Sequence, residues 1–328
     1  MRASLKRANN YQNWKLETGI WKFGIMLNYN KNILQIIAWF DLFNYPLTPW
    51  QLWHYSPVKQ SYGEFLNELN NDPLQTSPFV RGRVTRKDGF YFLAGREETL
   101  TTRHERYNIA DKKFKRALKA AWWFGRLPWI KLVCLANQIG AHNMRAEGDL
   151  DFFIVTSPRR LWLARFFLNS VLTILNLRPT SRKFNNTLCL SFWVAGDNLD
   201  LSAYRLADDP YFRYWLSGLT PLLNRDATYE KLIAANGWLT QELPNWQPLA
   251  TLPRRSLQAT TKRAPHNIFN FLENWAKQFQ LAILPRALKE VSNQDTRVVI
   301  NDHVFKAHLT DRRQEFLAKF HSNLEKLT

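Results

Sequence analysis

The stretch WIKLVCLANQIGAHNMRAEGDLDFFIVT, residues 129–156, decides the fold of this chain. It contains two apolar runs, Trp129–Ala136 and Leu150–Thr156, whose length and content of β-branched and aromatic residues predict buried strands. The residues between the runs are polar and turn-prone, and they leave room for a short helix. We therefore expect a strand, a turn, a short helix and a second strand at the centre of the chain.

Two aspartates, Asp149 and Asp151, stand at the start of the second predicted strand. Side chains alternate along a strand, so both carboxylates should face one side, ~6–7 Å apart at Cα. Leu150, Phe152 and Ile154 should then face a core. Two like charges this close repel unless a cation lies between them, and Mg²⁺ is the hard cation that carboxylate oxygens prefer. The pattern predicts a magnesium site.

Asp-x-Asp at the start of a strand that follows a strand, turn and short helix resembles the polymerase-beta-like nucleotidyltransferase superfamily. Through Leu188–Val194, Asn236–Leu239 and Phe40–Thr48 the chain is also similar to uncharacterised bacterial proteins with a nucleotidyltransferase domain. The resemblance implies an α+β fold with a central mixed sheet and helices. It also implies that Asp149 and Asp151 are catalytic and hold two Mg²⁺ ions.

The phosphate-binding turn departs from the superfamily pattern. In the superfamily a Gly-Ser pair after the first strand holds the phosphates of the nucleotide. The spacing places Asn137 and Gln138 there, close to Gly140, so the Gly-Ser pair is absent. Arg159 and Arg160, in the first turn of a helix predicted to start at Ser157-Pro158, are further candidates for contact with the triphosphate; ordinary surface arginines are the alternative.

The third acid expected from the resemblance is also missing. Superfamily catalysts usually carry a third carboxylate on a later strand, here predicted at Thr187–Val194 with Cys189, Ser191 and Trp193 on one face. That strand contains no acid. Asp197 and Asp200 lie just past its end, where a loop could return one of them to the site.

The N-terminal region, residues 1–110, is predicted to hold a winged-helix-like domain after a helical extension. The expected elements are a helix at Asn32–Leu42, a second capped by Thr48 with Pro49 in its first turn, a third starting at Ser61, and a hairpin of Phe79–Arg86 and Phe90–Leu93 around Asp88-Gly89. The third helix carries Glu64 and Glu68 and no basic residue. We therefore place a role in orienting a substrate or partner ahead of reading DNA.

The remaining two regions are predicted at 111–240, the nucleotidyltransferase-like domain with a basic entry helix, and 241–328, a linker followed by a helical region. The expected elements are a basic helix at Asp111–Phe124, helices from Pro210 to Leu219 and over Thr228–Leu239, a linker over Gln241–His266, a helix over Asn267–Lys289 kinked at Pro285, a short strand at Arg297–Ile300 and a last helix over Asp311–Leu327.

Composition and charge indicate the class of binding partner and the cellular compartment. The net charge is +18, and Lys and Arg exceed Asp and Glu in each third of the chain. This favours a polyanionic partner such as RNA, DNA, a nucleotide or an anionic membrane surface, with a solvated basic surface as the alternative. Two cysteines inside predicted strands and no recognisable secretory signal suit a cytoplasmic protein. The most apolar window, Leu161–Leu177, is too short and too polar to span a bilayer, so we expect no integral membrane segment.

Three functions remain open from the sequence. The first is Mg²⁺-dependent transfer of a nucleoside monophosphate from an NTP to an unknown acceptor, RNA or another polyanion among the candidates. The second is a catalytically degenerate nucleotidyltransferase-like protein that binds a nucleotide, a nucleic acid or a protein partner. The third is a winged-helix nucleic-acid binder whose central domain is structural. NTP turnover, NTP binding without turnover, and steeply salt-dependent nucleic-acid affinity distinguish them.

Overall fold

A computed structural model describes residues 31–71, 82–137, 143–180, 185, 187–248, 257–258 and 268–327. The chain divides into two compact units. The first comprises the described residues up to Thr102 together with Glu242–Gln247 and the end of the chain from Lys319, and the second comprises Arg103–Gln241 and Pro248–Ala318.

Among the described residues, the first unit contains three complete helices and a two-stranded hairpin. They are α1 (31–41), α2 (Pro49–His54), α3 (Tyr62–Asn70), β1 (Val84–Lys87) and β2 (Phe90–Leu93). Both predicted capping boxes are present, because Thr48 and Ser61 each accept a backbone N–H three residues on while Gln51 and Glu64 bond back to the cap.

Asp88 and Gly89 form the predicted hairpin turn, with φ angles of 52° and 78°. Both angles are positive, as a two-residue type I′ turn requires. An antiparallel bridge joins Leu47 to Tyr91, so the segment before α2 lies against β2. The start of the predicted hairpin at Phe79 lies outside the described residues.

A long helix, α4 (Glu98–Phe124), follows the hairpin. Its C-terminal end agrees with the predicted basic helix, whereas its start at Asp111 is wrong by more than three turns. Residues 98–110 alternate polar and charged side chains and lack a regular apolar stripe, so periodicity did not reveal them.

A seven-stranded mixed sheet forms the centre of the second unit, with strand order β7-β6-β3-β4-β5-β9-β8. Its strands are β3 (Ile130–Leu135), β4 (Leu150–Thr156), β5 (Leu188–Ala195), β6 (Thr220–Asn224), β7 (Leu257–Gln258), β8 (Val298–Ile300) and β9 (Val304–Ala307). β4 lies antiparallel to β3 and parallel to β5. The predicted α+β class and mixed sheet are therefore confirmed.

The remaining helices in the described parts of the chain are α5 (Leu161–Ile174), α6 (Pro210–Ser217), α7 (Thr228–Ala235), α8 (Trp238–Glu242), α9 (Ile268–Ala282), α10 (Arg286–Val291) and α11 (Arg313–Leu327), with a 3₁₀ turn at Ser202–Tyr204. The predicted helix Thr228–Leu239 is broken at Asn236, whose fully buried amide bonds Leu199 and Leu201 across the unit. Pro285 ends the helical segment before it and acts as the N-cap residue of α10.

The predicted start of α5 at Ser157-Pro158 is wrong. Arg159 adopts a left-handed conformation with φ of 57°, which a helix does not allow, and the helix begins at Leu161. The acceptor for its first backbone N–H groups comes from a residue far away in the sequence. The Glu273 carboxylate on α9 accepts from Trp162 N at 2.8 Å and from Leu163 N at 3.0 Å. No described helix is both long enough and apolar enough to cross a membrane.

A bulge in β5 sets which side chains face the two sides of the sheet. Asp151 pairs with Cys189 and Phe153 pairs with Phe192, so three steps along β5 match two along β4. The predicted common face of Cys189, Ser191 and Trp193 is therefore wrong. Trp193 is fully buried in the core on the opposite face.

Candidate functional site

The carboxylates of Asp149 and Asp151 lie side by side at the N-terminal end of β4. One oxygen from each and the Cys189 sulfur on β5 all lie within 4.8 Å of one another. The other face of β4 contributes Leu150 and Phe152 to the hydrophobic core. Strand alternation thus places the two acids together, and the parallel register with β5 brings the thiol to them.

Asn137, in the loop after β3, forms hydrogen bonds to both aspartate residues. Its side-chain Nδ2 donates to the Asp149 backbone oxygen at 3.0 Å and to Asp151 Oδ2 at 3.2 Å. Its Oδ1 accepts from the Asp151 backbone N–H at 3.3 Å. The residue predicted to contact a nucleotide phosphate therefore holds the acidic strand, and its amide is engaged by protein atoms. Gln138 and Gly140 lie outside the described residues.

Aromatic side chains follow the acids along the same face of the sheet. Phe153 and Phe192 meet edge to face with ring centroids 5.1 Å apart, and Trp215 from α6 stacks on Phe192 at 5.4 Å. The indole of Trp215 also donates to the Ala136 backbone oxygen at 3.1 Å. Phe153 is two residues after Asp151 on β4, so these rings continue the face of the sheet that carries the acids.

Burial raises the pKa of Asp151 to about 7, and the neighbouring charge of Asp149 adds to the rise. Burial likewise raises the pKa of Asp149, while its backbone hydrogen bond, the Lys113 ammonium and the Cys189 thiol each oppose that rise. At pH values between the ordinary pKa of Asp151, 3.8, and its raised value of about 7, the pair therefore favours one shared proton over two full charges. A bound cation would reverse this preference, because it stabilises both ionised carboxylates.

Lys113 is a site residue that sequence analysis missed. It lies on α4, only 5% exposed, and its ammonium donates to the Gly148 backbone oxygen just before the two acids. Sequence analysis gave it no role beyond its place in the basic helix predicted over Asp111–Phe124. Helical spacing could have indicated that Lys113 is buried, because it lies on the same stripe of the helix as the buried residues Ala110, Ala117 and Ala121.

Cys189 is the β5 side chain that lies beside the two acids, on the strand where the resemblance led us to expect a third carboxylate. Burial raises its thiol pKa well above the ordinary value, and the charges of Asp151 and Asp149 raise it further, so the group is a neutral thiol. Next along the strand, Ser191 Oγ lies 2.8 Å from His308 Nε2. Burial lowers the pKa of His308 to about 4, which keeps that imidazole neutral.

The other candidate residues lie at the far end of the same strands. Arg159 and Arg160 follow the C-terminal end of β4, about 15 Å along the strand from Asp151 at ordinary strand rise. Arg160 is buried there and donates to Asn270 at 2.9 Å. Asp197 follows the corresponding end of β5 and contacts His303 at 3.2 Å. The structure does not bring these residues to the acidic pair.

The donor atoms fit a hard divalent cation in part. Two carboxylates supply oxygen ligands, and a cation such as Mg²⁺ keeps several waters or takes phosphate oxygens for its other positions. A neutral thiol is a poor ligand for such an ion, so Asp149 and Asp151 would hold it without help from Cys189.

We compared the chain with family models, curated proteins and solved structures, and none of the three comparisons returned a match.

Proposed function

We propose that the second unit carries a nucleotidyltransferase-type site that binds an NTP with Mg²⁺ and transfers its nucleoside monophosphate to an acceptor. The observation that supports this proposal best is the pair of adjacent carboxylates, Asp149 and Asp151, at the end of a central strand and partly open to solvent. A polyanionic acceptor is consistent with the net charge of +18.

The proposed roles follow from the contacts. Asp149 and Asp151 would hold the cation, which when bound would neutralise the triphosphate and lower the pKa of the attacking hydroxyl. Asn137 keeps the Asp151 carboxylate oriented through its amide. Lys113 fixes the approach to the acidic strand by holding Gly148, and its positive charge favours the ionised form of Asp149.

We further propose that the first unit is a winged-helix-like domain that orients the acceptor. Its three helices and hairpin, with the bridge from Leu47 to Tyr91, support that arrangement. Glu64 on α3 is engaged in the Ser61 capping box and adds negative charge where a DNA reader would carry cations. Tight duplex DNA binding that charge reversal at Arg86 abolishes would contradict this role.

A second candidate function is nucleotide binding without transfer, and Cys189 is the observation that favours it. A neutral thiol beside Asp151 cannot take a proton from an acceptor hydroxyl or bind a second hard cation as a carboxylate would. The bound amide of Asn137, in place of a small residue, points the same way because it leaves less room for a phosphate.

One assay distinguishes the two functions. Full-length protein is incubated with each labelled NTP, Mg²⁺ and a cell extract, and label transfer and pyrophosphate release are measured. We expect turnover that Asp149→Asn and Asp151→Asn each remove, whereas Asp302→Asn, an exposed control acid, retains it. Mg²⁺-dependent NTP binding by calorimetry without any turnover would instead identify the second function. Absence of both binding and turnover would overturn both proposals.

Cys189→Asp is the matching gain-of-function test. If the thiol is what limits the site, adding the third carboxylate should raise turnover or tighten Mg²⁺ binding. Cys189→Ser, a neutral control of similar size, should change neither. Equal behaviour of the two variants would show that the identity of this residue does not limit the site.

A further inference from the structure

Exposed apolar side chains concentrate on two neighbouring helices of the second unit. Of the fourteen large hydrophobic residues exposed in the described parts of the chain, nine lie within 167–175 of α5 and 271–283 of α9 or the turns that end them. The most exposed are Ile174, Phe271 and Ile283, at 82%, 77% and 64%. We call these two segments the α5–α9 face. A contiguous exposed apolar patch is typical of an interaction site.

Aromatic contacts join the two segments into one surface. On α9, Phe271, Trp275 and Phe279 recur every four residues, and the last two rings stack with centroids 5.6 Å apart. Phe166 on α5 meets Trp275 at 5.1 Å and Phe279 at 5.8 Å. The apolar residues are therefore continuous across the helix pair.

A cleft of about 530 Å³ opens between α5 and α9 within this face. Its apolar walls include Phe279 and Ile283, and its polar lining includes Arg165, Arg178 and Gln280. The Arg165 guanidinium donates to Gln280, lies 3.4 Å from the centroid of the Phe305 ring, and leaves its buried Nε–H without a partner. The cleft thus combines apolar walls with an incompletely satisfied cation.

The charge of the cleft lacks a counterion among the described residues. Burial lowers the pKa of Arg165 to about 9, and the positive charge of Arg178 lowers it further. α5 has no acidic residue, and Glu273, the acid of α9, is occupied by the backbone N–H groups at the start of α5. No described carboxylate lies within ion-pair distance of either arginine.

We propose that the α5–α9 face binds the surface of an anionic lipid bilayer. The exposed aromatic and aliphatic side chains enter the interfacial region, and Arg165 and Arg178 bind the phosphate of an anionic headgroup whose acyl chain follows the apolar walls of the cleft. A second copy of the chain fits less well, because an isologous contact would set these arginines against each other with no described acid on the face to pair them. The helices lie on the membrane and do not span it.

Vesicle co-sedimentation of the full-length protein tests the proposal. We expect binding to phosphatidylcholine vesicles that contain phosphatidylglycerol, and little binding to phosphatidylcholine alone. Phe271→Ser combined with Trp275→Ser should weaken partitioning roughly tenfold or more, because two apolar side chains no longer leave water. Arg178→Glu should weaken it comparably, and only for the anionic vesicles.

Matched controls use exposed residues on α4. Trp123→Ser removes a tryptophan that is 58% exposed, and Lys112→Glu makes the same charge change as Arg178→Glu. Neither should alter binding. Brominated phosphatidylglycerol should quench tryptophan fluorescence in the wild type, and Trp275→Phe should reduce the quenching while retaining binding.

Three results would overturn the proposal. The first is vesicle binding that does not depend on phosphatidylglycerol. The second is binding that the variants at Phe271, Trp275 and Arg178 leave unchanged. The third is a dimer in light scattering that Phe271→Ser with Trp275→Ser converts to a monomer, because the face would then be an interface between copies. Circular dichroism confirms that each variant is folded before it is compared.

Discussion

Replacing Asp151 by Asn should stabilise the protein in the absence of divalent cations. The substitution keeps the size of the side chain and an oxygen that accepts from Asn137 Nδ2, now 3.2 Å from Asp151 Oδ2. It removes a charge that burial and Asp149 both disfavour. The variant therefore keeps the hydrogen bond to Asn137 and loses the unfavourable free energy of a buried charge next to Asp149.

The size of the effect follows from the pKa of Asp151, which rises from 3.8 to about 7 on folding. Three pKa units correspond to roughly 4 kcal/mol at a pH above both values, and this is a ceiling because water can enter around an ionised carboxylate. We expect a gain of about 2 kcal/mol at pH 8. Since the folded pKa is raised, the folded state binds more protons than the unfolded state between pH 4 and 7. Wild-type stability should therefore fall across that window relative to the variant.

Urea unfolding at a series of pH values, with a chelator present, measures this difference. The gap between Asp151→Asn and wild type should be near zero at pH 4 and largest at pH 8. Asp302→Asn is the control with the opposite sign: that carboxylate is paired with Lys277 at 2.6 Å and its pKa is lowered, so its loss should cost up to about 1 kcal/mol. A variant at position 151 less stable than wild type at pH 8 would refute the reasoning.

Two further predictions concern buried polar contacts of the second unit. Glu273→Ala should lower the unfolding free energy by about 2–3 kcal/mol, because the N–H groups of Trp162 and Leu163 lose their acceptor. Glu273→Gln should recover part of this loss. In urea unfolding, a loss below about 0.5 kcal/mol for Glu273→Ala would mean that water replaces the carboxylate. Arg313→Met should cost about 3–5 kcal/mol, because Asp209 is buried and loses its cation at 2.9 Å. Adding Asp209→Asn should restore part of the loss, because it removes the buried charge and keeps a side-chain oxygen for the Phe212 N–H that Asp209 caps; equal stability of the single and double variants would contradict that explanation.

Local signals in the sequence predicted elements that local interactions determine. Thr48 and Ser61 cap their helices as expected because each capping box lies within four consecutive residues. Asp88-Gly89 formed its turn for the same reason. The β4 bounds, Leu150–Thr156, agree with the apolar run itself. In these cases the residues that decide the structure are close in sequence.

The missed elements depend on partners distant in sequence. β6 contains Pro221, which argues against a strand, yet it pairs with β3 where a register shift accommodates a residue without an N–H. β9 is four residues long and is defined by pairing with β5 and β8. The start of α5 depends on Glu273, more than a hundred residues away. Periodicity within a window does not contain this information.

The same distinction applies to the candidate site. Alternation along one strand was enough to place Asp149 and Asp151 together. The position of Cys189 beside the two acids depends on the register of β5. The position of Lys113 near them depends on which face α4 turns toward the sheet. The prediction that Arg159 lies near the triphosphate is wrong because Arg159 follows the C-terminal end of β4, whereas the two acids lie at its N-terminal end.

The bulge in β5 explains how one strand serves both the site and the core. Cys189 faces the acids and Leu190 faces the core, so strict alternation would turn Trp193 toward the acidic face. The extra residue lets Phe192 pair with Phe153 beside the site and returns Trp193 to the core, where its indole donates to the Leu190 backbone oxygen at 2.9 Å. Without the bulge, β5 could place either Cys189 beside the acids or Trp193 in the core, but not both. The register that sets the site is therefore held by the packing of Trp193, well away from the carboxylates.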